Sequence, residues 1–369
     1  MKKMKITMLG TKGAGKTCFM LAMYSKMSQG INGFTLTTQD LDQDIDLADA
    51  WEGILYGEDK DRWPPSNDAD VTNYSFNFNY ALTTRLMEFD WIDYRGKALD
   101  DKKTQQEDVL IVTERIKVSD CIFLCISGEY LVEPVANNMP PRESGIDRIV
   151  KFIQQGFDGS KKTIPIVILI TKFDLCAKRR KEEVIEDIKQ LFNFLFVPDG
   201  EWPVMICPVT LGAKLSEDIN KQQIVPMGVH FPLIFAIYFE YFQNNLQLQE
   251  KERQYQQEQE KYQATLAQKQ TDLININKQL TELNQRNLFS KTWDNLRGKD
   301  QTQQKSQESK NTDNSKNEAE NALQATKSQL DAIRNQNNDI QKKLKLLVGE
   351  LNNDNINIYI AGTEVELNV

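Results

Sequence analysis

The sequence predicts an α/β protein: a doubly wound, mostly parallel sheet with helices on both faces, a long C-terminal coiled-coil hairpin and a terminal β-hairpin. Three observations predict it. Short apolar or β-branched runs each deliver a polar loop at their C-terminal end. The first of those loops has the phosphate-binding pattern G-x-x-x-x-G-K-[ST]. Beyond about Phe242 the composition turns to Gln, Glu, Lys and Asn, with apolar residues at heptad spacing. The expected layout is a sheet domain over 1–242, a coiled coil over 243–352 and a terminal β element over 353–369.

The first strand is read at Lys5 to Leu9 and the first helix at Thr17 to Met27. Between them Gly10, Thr11, Lys12, Gly13, Ala14, Gly15, Lys16 and Thr17 fill the pattern, and Cys18 follows on the helix. A phosphate loop works where a strand feeds a glycine turn that opens a helix, because successive N–H groups and the helix N-terminus then converge on the anion. The glycines let the backbone approach without a Cβ clash, Lys16 reaches the β and γ phosphates as a point charge, and the Thr17 hydroxyl is a Mg²⁺ ligand. The expected ligand is a nucleoside triphosphate.

Next comes Val71 to Tyr80, in which Tyr74, Phe76, Phe78 and Tyr80 alternate with polar residues; this predicts an antiparallel strand with one apolar face. Arg62-Trp63-Pro64-Pro65-Ser66 precedes it. Leu86 to Ile92 reads as a strand delivering Asp93-Tyr94-Arg95-Gly96, a D-x-x-G arrangement. Cys121 to Ile126 reads as a buried strand. Ile164 to Ile170, interrupted by Pro165, leads to Thr171-Lys172-Phe173-Asp174. These four residues resemble the N-K-x-D guanine-recognition motif of GTPases, and in that role a carboxylate at Asp174 accepts from both N1 and the exocyclic amine of guanine, whereas adenine offers no such pair of donors. A site built on those bonds rejects the analogue lacking them by roughly 10⁴. A further strand ends at Ile206 to Gly212, with Thr210 and Leu211 in its loop.

In order and spacing, residues 1 to about 240 resemble a Ras-like P-loop GTPase domain of the translation-factor-related class. More narrowly they are similar to bacterial double-GTPase-like domains of conflict systems, in which a W-P-P-x-T type segment precedes a long antiparallel strand. The resemblance implies GTP or GDP and Mg²⁺ as ligands. By it, Thr171, Lys172 and Asp174 take the N-K-x-D guanine-recognition positions, and the Lys172 stem lies along the base. Thr210 and Leu211 stand in for the Ser and Ala of the loop that contacts the guanine oxygen. Asp93 holds Mg²⁺ through water, the Gly96 N–H contacts the γ phosphate, and Ser66 is the switch I hydroxyl on the metal, with Thr72, Thr35, Thr37 and Thr38 as alternatives.

Two departures bear on chemistry. Thr171 replaces the Asn that braces the phosphate loop, which predicts lost affinity or rigidity. Lys97 follows Gly96 where the family carries the Gln that orients water, which predicts slow hydrolysis. Arg95 and Arg62 read as solvated surface arginines in preference to cationic groups acting in cis. The function implied is a GTP-binding switch with weak Mg²⁺-dependent GTPase activity. It would report to an unidentified protein effector or operon partner, through the coil, in a defence-type system. Two alternatives stay open: a scaffold with a vestigial nucleotide site, and an ATPase with a coiled-coil lever.

A formal net charge of −8 argues against nonspecific nucleic-acid binding. No apolar run approaches the roughly 20 residues of a membrane span, and no signal peptide is visible, so a cytoplasmic location is expected. The five cysteines lack a C-x-x-C pair, and His230 is the single histidine; both read as structural.

In the first coil arm Leu248, Tyr255, Tyr262, Leu266, Leu273, Ile276, Leu280 and Leu283 fall at steps of four and three, interrupted by Gln259 and Lys269. Gly298 to Lys316 is almost wholly polar and predicts a disordered tip. A second heptad runs through Leu323, Leu330, Ile333, Ile340, Leu344, Leu347 and Leu351, with Asn337 at one seam position. Arms of about 65 Å and about 45 Å follow. An intramolecular hairpin is favoured over an intermolecular coil that makes a homodimer. Two alternating runs around Ala361-Gly362 predict a β-hairpin that needs the sheet domain or a partner to pack on.

Overall fold

The computed structural model describes residues 3–57, 62–64, 72–93, 106–135, 144–158, 163–212, 215, 223–289 and 294–368. In chain order its strands are β1 (Met4–Leu9), β2 (Phe34–Thr38), β3 (Thr72–Tyr80), β4 (Thr84–Asp93), β5 (Cys121–Ser127), β6 (Ile166–Thr171), β7 (Pro203–Pro208), β8 (Asn357–Ile360) and β9 (Thr363–Glu364). Its helices are α1 (Lys16–Ser28), α2 (Leu41–Tyr56), α3 (Gln106–Val118), α4 (Ile146–Phe157), α5 (Lys181–Leu191), α6 (Phe231–Phe289) and α7 (Asp294–Leu351). The described strands form one mixed sheet in the order β2-β3-β4-β1-β5-β6-β7-β8-β9.

The middle five strands, β4-β1-β5-β6-β7, are parallel. Buried on both faces, such strands need continuous apolar sequence, and CIFLCIS of β5 and IVILIT of β6 are buried at every position. Pro165 sits one residue ahead of β6, where no ladder N–H is lost; its carbonyl accepts from Ile122 N–H. Ile122, Leu124 and Ile126 join a cluster with Val112 and Ile116 of α3, Ile149 and Ile153 of α4, and Val184 and Ile188 of α5. The alternate residue Phe123 meets Phe19 of α1 and Trp91 of β4.

Antiparallel pairs flank this centre on both sides. β3 pairs with β4 and with β2, and the expected apolar face is present: Phe76 and Phe78 are buried and stack on Phe89 and Phe34. At the other side β8 pairs with β7 and β9 with β8. Ala361 and Gly362 turn that last hairpin with φ of 50° and 74°, the mirror-type turn that matches strand twist. Gly362 is obligatory there, since a Cβ would collide with the Phe196 carbonyl.

The expected terminal β-hairpin thus extends the sheet, and β2 and α2 are additions to the sequence reading. The chain divides into two compact units: 1–241 together with 343–369, and 242–342. The β-hairpin accordingly belongs to the sheet unit. In the helical unit the expected seam positions of α6 are less exposed than their neighbours, and Asn337 Nδ2 of α7 donates to Glu252 Oε2 of α6 at 3.1 Å, so the coil is an intramolecular antiparallel pair.

The expected disordered tip at 298–316 is instead helical, giving arms of 59 and 58 residues. Periodicity explains the difference: Thr302, Lys305, Ser309, Thr312 and Lys316 keep the four-three spacing of the apolar seam and are less exposed than the residues between them. Their apolar counterpart is Leu273, Ile276, Leu280 and Leu283 of α6, reached by counting outward from the Glu252–Asn337 pair. Among the described residues no helix is long and apolar enough to cross a membrane.

Candidate nucleotide site

The parallel registers align one edge of the sheet. Leu9 of β1 pairs with Leu124 of β5, Ser127 of β5 with Thr171 of β6, and Ile170 of β6 with Pro208 of β7. The loops after β1, β6 and β7 therefore open side by side at the C-terminal ends of their strands, where ligands of open α/β sheets bind.

The loop after β1 turns through Gly13 and Gly15, both left-handed at φ 77° and 81°, and Gly15 caps α1. The first intrahelical bond runs from Phe19 N–H to the Gly15 carbonyl at 2.9 Å. Helix geometry leaves the earlier N–H groups of the turn aimed ahead of the axis, toward an anion. A Cβ on Gly10 would lie 2.9 Å from Cys125 Cβ, so glycine is what lets the loop leave β1 against β5. Lys16 is 8% exposed, and its ammonium donates to the Gly10 carbonyl at 2.7 Å and the Thr11 carbonyl at 3.0 Å. Among the described residues this nearly buried cation is held by neutral carbonyls, and such a cation gains from an added anion. The donor set fits a polyphosphate.

Thr171 reaches across from β6. Its hydroxyl donates to the Ala14 carbonyl at 2.7 Å, with the Ile126 carbonyl a longer second acceptor at 3.2 Å. A short hydroxyl thus makes a bond to the loop at the position where the resemblance called on an Asn. Lys172 follows with φ 50°, a left-handed conformation that costs a β-carbon residue about 1–3 kcal/mol. Its ammonium pairs with Glu129 Oε1 at 2.9 Å, and Ser127 Oγ donates to Glu129 Oε2 and accepts from Glu129 N–H. Both Lys172 and Glu129 are partly solvated, so the pair contributes at most about 1 kcal/mol.

Asp174 lies one short turn further, and Thr210 Oγ1 approaches its Oδ1 at 3.0 Å. The same hydroxyl accepts from Gly212 N–H at 3.1 Å and lies 2.9 Å from the Gly212 carbonyl, which fixes the loop carrying Leu211. Phe173 N–H donates to the Val209 carbonyl and ties the two loops together. Gly10 to Cys18, Thr171, Lys172, Asp174, Thr210 and Leu211 are therefore brought together. Cys18 is no nucleophile here, because burial pushes its thiol up to about 11 against the pull of the Lys172 charge.

Ser66 and Gly96, with Arg95 and Lys97, lie outside the described residues. The Asp93 backbone ends β4 level with Met8, and Thr72 is level with Asp93 one strand further out; neither side chain is among those described. Thr35, Thr37 and Thr38 belong to β2, three strands from β1 or about 14 Å away, so the structure does not bring them to the loop. Arg62 is not a solvated surface residue: it is buried, and donates from Nε to the Ile54 carbonyl at 2.7 Å and from Nη2 to the Leu55 carbonyl at 3.0 Å, capping α2.

Two residues were missed. Glu129 has no motif that marks it. Gly145, the left-handed cap of α4, packs so closely on Thr11 of the loop that a Cβ would collide with its methyl group. Among the described residues no cluster of three His, Cys, Asp or Glu could hold a metal ion. Neither a protein-family model nor a curated protein matches the chain.

Proposed function

We propose that the protein is a GTP-binding switch whose sheet is the doubly wound core of a P-loop GTPase. The observation that carries the reading is the Thr171 hydroxyl bond to Ala14: one short segment, 171–174, both holds the phosphate loop and presents the Asp174 carboxylate. A site for a purine nucleotide needs that coupling, and a glycine turn formed by chance does not.

In this reading Lys16 and the loop N–H groups bind the β and γ phosphates. Thr17, with Asp93 and Ser66, holds Mg²⁺, and Gly96 contacts the γ phosphate. Asp174, steadied by Thr210, accepts from guanine, the Lys172 stem covers the base, and Leu211 lines its edge. Bound Mg²⁺ and triphosphate supply an electrophilic phosphorus for attack by water. Lys97 cannot orient that water as a Gln amide does, so turnover is slow and the bound state is long-lived. Such a state suits a signal read by a protein partner.

The vestigial-site alternative has one observation in its favour: Lys16 is already bonded to two loop carbonyls. Fluorescent GTP and ATP analogues titrated with Mg²⁺ into the wild type, Lys16→Ala and Asp174→Ala separate the readings. GTP-selective binding lost in both variants supports the switch. No binding supports the scaffold, and equal binding of ATP supports an ATPase.

A further inference from the structure

Helix α2 presents two faces of opposite use. Leu47, Trp51 and Ile54, spaced four and three, are buried. At 100° per residue Leu41, Ile45, Ala48, Glu52 and Tyr56 fall on the far side within an arc of about 80°. All five are exposed, with Leu41 at 72%, Ile45 at 51% and Tyr56 at 78%. Lone exposed apolar residues need no explanation, but three large ones on one stripe of one helix do.

The charge beside the stripe is one-sided. Asp42, Asp46 and Asp49 run along one flank and are exposed, and Glu52 lies on the stripe itself. No Lys or Arg occurs from residue 27 to residue 59. The helix is also rigid at both ends: Asp40 Oδ1 accepts from Asp42 N–H at 3.1 Å, and Arg62 holds the last carbonyls. Preorganisation of this kind lowers the ordering cost of binding.

We propose that the outer face of α2 is a docking surface for a protein partner that presents an amphipathic helix with a Lys/Arg flank. Leu41, Ile45 and Tyr56 supply the apolar anchor, and the Asp42, Asp46 and Asp49 carboxylates meet the basic flank. Charge decides against a second copy of α2 as occupant, because two such helices would set acid against acid with no cation between them.

The test uses the full chain and a fluorescein-labelled 18-residue amphipathic peptide of Leu and Lys, with a Leu/Glu peptide of the same spacing as control. Anisotropy should report binding of the Leu/Lys peptide that weakens with salt. Its Kd should rise at least tenfold in Leu41→Gln/Ile45→Gln and in Asp46→Asn/Asp49→Asn. It should stay unchanged in Glu258→Gln/Glu260→Gln, which removes equal charge from the exposed surface of α6. The substituted side chains are exposed, so thermal melts should match the wild type. Equal binding by every variant, equal binding of the Leu/Glu peptide, or no binding would overturn the proposal. A concentration-dependent dimer that disappears in Leu41→Gln/Ile45→Gln would overturn it in favour of self-pairing.

Discussion

The corner around Lys16 and Asp174 and the helical unit 242–342 are held together by opposite means. In the corner, residues far apart in sequence meet through single directed bonds, such as Thr171 to Ala14 and Thr210 to Asp174. In the helical unit no single bond matters much, because the same small contact recurs every three or four residues. The corner should therefore fail by losing ligand without losing fold, and the hairpin by losing fold in proportion to the apolar area removed.

The largest effect that would break this contrast is Lys16→Ala, which should weaken GTP binding at least a hundredfold while leaving the thermal midpoint nearly unchanged. A fall in midpoint comparable to that of a core truncation would show that Lys16 is structural. Next is Leu330→Ala on the hairpin, where a buried side chain is lost and about 2–4 kcal/mol should go from the helical unit, read by ellipticity against urea. The matching change in the outer half, Thr312→Ala, should cost a few tenths of a kcal/mol. Equal losses at both sites would mean that the seam is not graded as its sequence suggests.

A smaller effect separates the units by pH. Burial, aided by the Lys26 charge, holds His230 down at about 4, so it is neutral at pH 7 and its 3.9 Å approach to Glu350 is not an ion pair there. Because its folded value lies below the ordinary 6.5, the unfolded chain binds the proton first as pH falls. The sheet unit should then lose about 1.4 kcal/mol per pH unit between 6.5 and 4, and gain nothing further above 6.5. Tryptophan-fluorescence urea midpoints at pH 7 and pH 5.5 check this, and His230→Phe should flatten the difference.

A further test of the corner is Thr171→Val. Losing one buried hydroxyl bond should cost about 1–2 kcal/mol and weaken GTP binding about tenfold, with Thr171→Asn recovering most of it. If valine binds GTP as well as threonine, the brace is incidental.

Much of this was legible where the signal was chemical and local. The strand before Gly10, the alternation in β3 and the apolar run of β6 all lie where their sequences indicate. The helix α2 was equally available, since Asp40 is an N-cap residue and Leu47, Trp51 and Ile54 are helix-spaced; six acids crowding the segment hide that period. The strand β2 is short, and Thr35, Thr37 and Thr38 invited reading as metal ligands when their β-branched stems serve a sheet. The residues 298–316 misled in the other direction: their composition is that of a solvated chain, but Ser and Thr at seam spacing let α7 continue opposite the apolar stripe of α6. At Thr171 the motif prescribed an amide, but the physics requires only one donor at the right distance. Glu129 and Gly145 act through three-dimensional proximity, which no spacing in the chain encodes.

Strand β8 has a consequence in time. It completes β7, whose end carries the Thr210 loop, yet about 150 residues separate Pro208 from Asn357. At 5–20 residues per second, roughly 7–30 s of synthesis pass between the emergence of the two strands. Throughout that interval the β7 edge is an unpaired template, open to any extended segment nearby. A chain interrupted anywhere in the helical unit therefore keeps that edge uncovered, with no strand of its own to close it.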